Sequence, residues 1–215
     1  MSDHAENGGW VTRRTGLVPS AAPRTRNSAK SVLREDTRPT APEPDDDVRF
    51  TRRGLSAGHH LVAVHDHYRA ELAKVRRILR RVTSGETGIG AARGELNGLT
   101  IRTTNWTLHG ACQAQCVSLT QHHGMETSQI FPHLRRSQRD LAAVLDRLTE
   151  EHHSIHTVLE GIDAALVHLA GDPTDFGPIT EAVDLLTDTL LSHFAYEERE
   201  LVAPLSRHGF FPGQL

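Results

Sequence analysis

The chain has 215 residues, enough for one domain with a tail and short for a multidomain enzyme. Its 24 Lys and Arg stand against 27 Asp and Glu, a net charge of −3 that argues against nucleic acid or an anionic membrane as partner. No apolar run approaches the ~18 residues of a membrane span, no leader-like apolar segment opens the chain, and its 2 cysteines make no disulfide framework, so a cytoplasmic location is expected.

Residues 1–55 read as a disordered N-terminal tail. Pro19, Pro23, Pro39, Pro42 and Pro44 fall here beside the run Asp45-Asp46-Asp47, and Trp10, Val11 and Leu17 show no helical or strand period. From about 57 the pattern turns helical. A first helix over about 57–83 carries the stripe Leu61, His65, Tyr68, Leu72, Val75, Leu79, alternating by four and three. The Gly-rich stretch 83–90 ends it, and 91–102 reads as a short helix and a turn. A second helix over about 103–134 carries Trp106, Leu108, Cys112, Cys116, Leu119, His122, Glu126 and Ile130. A third, about 137–170, carries Leu141, Leu145, Leu148, His152, Ile155, Leu159, Ile162, Leu166 and Leu169, and Gly171-Asp172-Pro173 stops it. A fourth, about 178–203, carries Ile179, Val183, Leu186, Leu190, His193, Glu197 and Leu201 before Pro204. No stretch alternates with period two. The expected fold is all-α: an up-down-up-down four-helix bundle over 56–208, with a C-terminal tail at 209–215.

Histidine is the compositional outlier, 15 in all. Each stripe is broken near its middle by polar groups: His65 on the first, His122 with Glu126 on the second, His152 with His156 on the third, His193 with Glu197 on the fourth. Residues four apart share a helix face, so these seven side chains are expected to converge at one level. Burying unpartnered carboxylates is prohibitive and each orphaned imidazole costs about 1–3 kcal/mol. The set has no Lys or Arg to offset the acids, and bound cations would. The donor set exceeds one tetrahedral zinc and suits two octahedral first-row ions. Five histidines and two bridging carboxylates fill nine of twelve positions, an oxo or hydroxo bridge two more, and one stays open for a small molecule.

The pattern, with His-His-Gly-Met-Glu (122–126), Ile-Phe-Pro-His-Leu (130–134), Glu-Glu-His-His-Ser-Ile-His (150–156) and His193 with Tyr-Glu-Glu, resembles the hemerythrin-like (HHE cation-binding) family, bacterial type, over about 57–208. That resemblance implies a non-haem di-iron site. His152, His156 and His193 would hold one iron, His65 and His122 the other, and Glu126 and Glu197 would bridge. Two departures stand out. Animal hemerythrins carry an Asp one residue farther along where this chain has Glu197, and Thr127 stands where many bacterial relatives have an acid, which alters hydrogen bonding around the ligands. His123, His153 and Glu198 are candidates for that outer ring, although helix geometry turns His123 and His153 about 100° from the ligands, toward the surface or a helix contact. Cys112 and Cys116 read as buried small side chains remote from the metals.

The resemblance implies a protein that binds or reacts with O2, H2O2 or NO at an open iron position, and the stripes place Leu119, Ile155 and Leu190 as apolar neighbours of that position. No catalytic residue beyond the metal centre is expected, and the redox partner is unidentified. Two other readings compete: a metal-stabilised sensor or interaction module without turnover, and a di-iron oxidase or oxygenase acting on an organic substrate.

Overall fold

The computed structural model describes residues 11–43, 47–86 and 108–210, the side chains of 108–115 excepted. The expected short helix at 91–102 and the side chains of Trp106, Leu108 and Cys112 lie outside the described residues. Helix α1 is Arg52–Thr83. It begins five residues earlier than the expected start at about 57, because the Thr51 hydroxyl accepts the Gly54 N–H at 2.9 Å and caps the first turn. Helix α2 is Leu108–Met125, followed by a π-turn at Glu126–Ile130 and a short helix α3, Phe131–Ser137. A 3-10 turn, Arg139–Leu141, leads into α4, Ala142–Gly171, and α5 is Gly177–His208. Helix α5 continues past Pro204 and closes at Gly209, whose φ of 65° suits a glycine. Among the described residues there is no strand.

The π-turn has a local cause. Pro132 has no N–H, so the Ser128 carbonyl loses its helical donor, and the Phe131 N–H bonds the Glu126 carbonyl one residue farther back. The inserted residue rotates the next turn of helix, and Phe131 and Leu134 return to the inward face with 3% and 0% exposure.

Helix α1 packs along α5, α5 along α4, and α4 along α2. Gly54 and Gly58 bring α1 unusually close to α5: a methyl at either would collide with Ser206. The apolar core is split in two. One cluster holds Tyr68, Leu119, Ile155, Leu190 and Phe194, and the other Leu61, Ile130, Leu148 and Leu201. Along every long helix the polar residues of interest fall between a member of the first cluster and a member of the second. The centre is therefore a polar layer sealed by hydrocarbon on both sides.

The N-terminal segment corrects an expectation. Over 11–43 it is a packed arm, not a solvated tail. Val11 and Leu17 enter the second apolar cluster, and Leu33 is 9% exposed. Its backbone binds acids of α5: Asn27 and Ser28 N–H donate to Asp188 at 2.6 and 2.8 Å, and Ala41 N–H donates to Glu200 at 2.6 Å. The apolar period could not reveal this, because a largely irregular arm fastened by backbone donors has no period of its own. The arm also explains why the polar residues Asp188, Ser192 and Glu200 on the outer side of α5 are buried.

Candidate metal centre

Five imidazoles and two carboxylates do meet at one level, but they are not quite the expected seven. His65, His122, His152, His193, Glu126 and Glu197 are all buried as predicted. His156 is not among them. Its side chain is 61% exposed and its Nε2 lies 3.7 Å from Glu160 on the outer face of α4. The buried face of α4 runs through Glu151, His152, Ile155 and Val158. His152 stands at one margin of that face, and a residue four farther on, turned about 40° outward, leaves it. His153 is likewise exposed.

His123 supplies the fifth imidazole. It is 6% exposed, four residues from Leu119 and three from Glu126 on the inward face. Its ring stacks on His152 with centroids 4.1 Å apart. The ligand-type atoms of His123, His152 and His193 all lie within 4.8 Å of one another, as do those of His65, His122 and Glu126, and those of Glu126, His152 and Glu197.

The carboxylates tie two histidine groups together. Glu126 Oε1 lies 3.2 Å from His122 Nε2 and its Oε2 lies 3.6 Å from His152 Nε2. Glu197 Oε2 lies 3.6 Å from His65 Nε2 and 3.4 Å from His193 Nε2. Each acid thus stands between a histidine of one group (His65, His122) and a histidine of the other (His123, His152, His193). The inward atoms are orphans: Nε2 of His123, His152 and His193 and all four oxygens of Glu126 and Glu197 are buried without a hydrogen-bond partner. Such a concentration of unpartnered buried acceptors fits cations and little else.

The electrostatics separate the histidines. Burial pushes His122 down to about 4 and holds His123 and His152 well below the usual imidazole range, so these three are neutral and carry a lone pair. Burial, reinforced by the charge of Glu197, pushes the Glu126 carboxyl up. At His193, burial favours the neutral ring, but the hydrogen bond to Glu151 and the nearby Glu197 carboxylate outweigh it and raise the group to about 9. Glu197 is also penalised by burial, and the His193 contact more than offsets this, holding it down to about 2.

The outer ring orients the imidazoles. Glu198, expected there, accepts from His65 Nδ1 at 2.9 Å and from Arg69 at 2.7 Å. Thr127 fills the place of the missing acid, its hydroxyl 2.8 Å from His152 Nδ1. Glu151 accepts from His193 Nδ1 at 3.0 Å. Glu151 escaped the sequence reading, yet the buried series Val144, Leu148, Glu151, Ile155, Val158, Ile162 advances by four and three throughout. With Nδ1 occupied, each of these three rings presents Nε2 to the centre.

Leu119, Ile155 and Leu190 are buried in the apolar cluster beside this layer. An apolar cavity of about 50 Å³, lined in part by Tyr68, Leu119 and Leu190, lies within that cluster, and none of the seven inward residues lines it. Cys116, on the same wall, is a half-buried thiol. The Hemerythrin HHE cation binding domain matches residues 56–205. The chain belongs to this family. No curated protein and no solved structure matches it. The family match and the histidine–glutamate clusters agree on a cation-binding helical domain. No helix among the described residues is long and apolar enough to cross a membrane.

Proposed function

We propose that this hemerythrin-family protein is a non-haem di-iron protein that binds or reacts with O2, H2O2 or NO. The observation that carries the reading is the placement of Glu126 and Glu197, each between histidines of two groups and each with unpartnered oxygens. One iron would be held by His65 and His122, the other by His123, His152 and His193, with both carboxylates bridging. Iron bound there would supply redox chemistry toward a diatomic or peroxide ligand.

The chain's own part is to hold and to exclude. Glu151, Glu198 and Thr127 fix three imidazoles by Nδ1, so Nε2 is aimed before any ion arrives. The two apolar clusters keep bulk water from the centre, where His65, His193 and Glu197 are 0% exposed.

Metal analysis of protein purified under reducing conditions tests this reading, with two iron ions per chain expected. Anaerobic reconstitution with Fe(II), followed by O2 or NO, is expected to change the visible spectrum. A protein that retains no iron and shows no spectral change would be a structural module instead.

A further inference from the structure

His193 and His65 belong to different histidine groups, yet the carboxylates behind both reach the same segment of chain, and that segment is not part of the bundle. Arg38 of the arm donates Nε to Glu151 Oε1 at 2.7 Å and Nη2 to Oε2 at 3.0 Å, a two-pronged contact in which Oε2 also accepts from His193 Nδ1. The third prong, Nη1, donates to Ser192 at 3.0 Å. The guanidinium lies 4.6 Å from the centre of the Tyr196 ring, whose hydroxyl donates to the Pro39 carbonyl at 2.8 Å. Arg38 and Glu151 side chains are 8% and 3% exposed, so water does little to loosen the pair. At the other end of the arm the Ser20 N–H donates to Glu198 Oε2 at 2.8 Å, while Oε1 of the same carboxylate holds His65. Between them, Asn27 and Ser28 anchor the arm to Asp188.

We propose that the N-terminal arm is a clamp on the metal centre, with Arg38 a positioning residue that acts through Glu151 on His193 and the Ser20 N–H acting through Glu198 on His65. A planar, always-charged guanidinium can satisfy both Glu151 oxygens at once, whereas an ammonium cannot. Without it, Glu151 is a buried carboxylate whose remaining partner is His193, and both are set loose to rotate. The arm thus controls how firmly the imidazoles are held in each half of the site. This inference rests on the metal reading above.

The full-length chain serves for the test. Co(II) release to excess EDTA is followed in the wild type, Arg38→Met, Arg38→Lys and Arg34→Ala, with helix content checked by circular dichroism. Arg34 meets Glu150 at an exposed position of the same arm and is the control. Metal held by imidazoles that have lost their outer partner binds about 10–100-fold more weakly. Arg38→Met is therefore expected to release metal faster by that factor at unchanged helix content, Arg38→Lys to recover part of the loss, and Arg34→Ala to match the wild type. A second readout needs no metal: the slowly exchanging Nδ1–H signal of His193, in histidine labelled with nitrogen-15, is expected to vanish in Arg38→Met. Equal release rates in Arg38→Met and wild type would overturn the clamp. If the wild type itself retains no metal, the metal reading falls, and persistence of the His193 signal in Arg38→Met would then overturn the clamp separately.

Discussion

Two pairs of carboxylates in this bundle are buried alike and partnered oppositely. Glu126 and Glu197 point to the centre, 1% and 0% exposed, with every oxygen unpartnered. Glu151 and Glu198 stand behind the imidazoles, 2% and 0% exposed, and each is met by an arginine and a histidine N–H. Burial alone therefore does not mark a ligand. The distinction is what compensates the charge: the outer pair has arginines and hydrogen-bond donors, and the inner pair has only imidazoles within reach, none of them a hydrogen-bond partner. Glu197 and Glu198 make the contrast sharpest, since adjacent residues divide the two roles.

Removing metal is the largest perturbation of that contrast. A ligand at ~1,000 times its Kd stabilises the native state by about 4 kcal/mol, and in a protein of this size each kcal/mol shifts Tm by about 2–4 °C. Chelation is expected to lower Tm by roughly 8–16 °C on the same basis, read by thermal melts with and without EDTA. An unchanged melt would mean the inner pair is satisfied without ions. Next, Glu126→Ala is expected to drop bound iron from two per chain to one or none, while Glu198→Gln keeps two but binds them about 10–100-fold more weakly. Equal losses in both variants would erase the difference between inner and outer acids. The histidines allow a narrower test of the same division. His123→Ala is expected to lose an equivalent of metal or bind it at least about tenfold more weakly, and His156→Ala to match the wild type, both by metal titration. The smallest effect concerns the apolar wall. Burial pushes the Cys116 thiol up to about 11. The reactive thiolate is therefore scarce at pH 8, and alkylation at Cys116, mapped by peptide mass, is expected to speed up about tenfold per pH unit between 8 and 10.

Much of this was legible in the chain, and the exceptions have physical causes. Helix positions and six of the seven inward side chains followed from stripes with steps of three and four. Spacing by four from His152 points to His156, but His152 sits at the margin of the buried face of α4 and the next turn carries His156 off it. Spacing puts His123 only in the outer ring because an idealised stripe is one residue wide, whereas a helix packed against two neighbours buries a band that takes in both His122 and His123. Glu151 carried a signal in its place between Leu148 and Ile155. The roles of Arg38 and Ser20 carried none, since hydrogen bonds more than a hundred residues apart in sequence leave no local pattern.

The sequence by itself determined the helical bundle, the height of the polar layer and the kind of donor atoms it presents, because periodicity and residue type are properties of each helix alone. Only the tertiary structure decided which imidazoles complete the layer and that the arm closes over it. Those outcomes depend on the rotation of each helix against its neighbours and on contacts between distant segments, which the order of residues along any one helix does not encode.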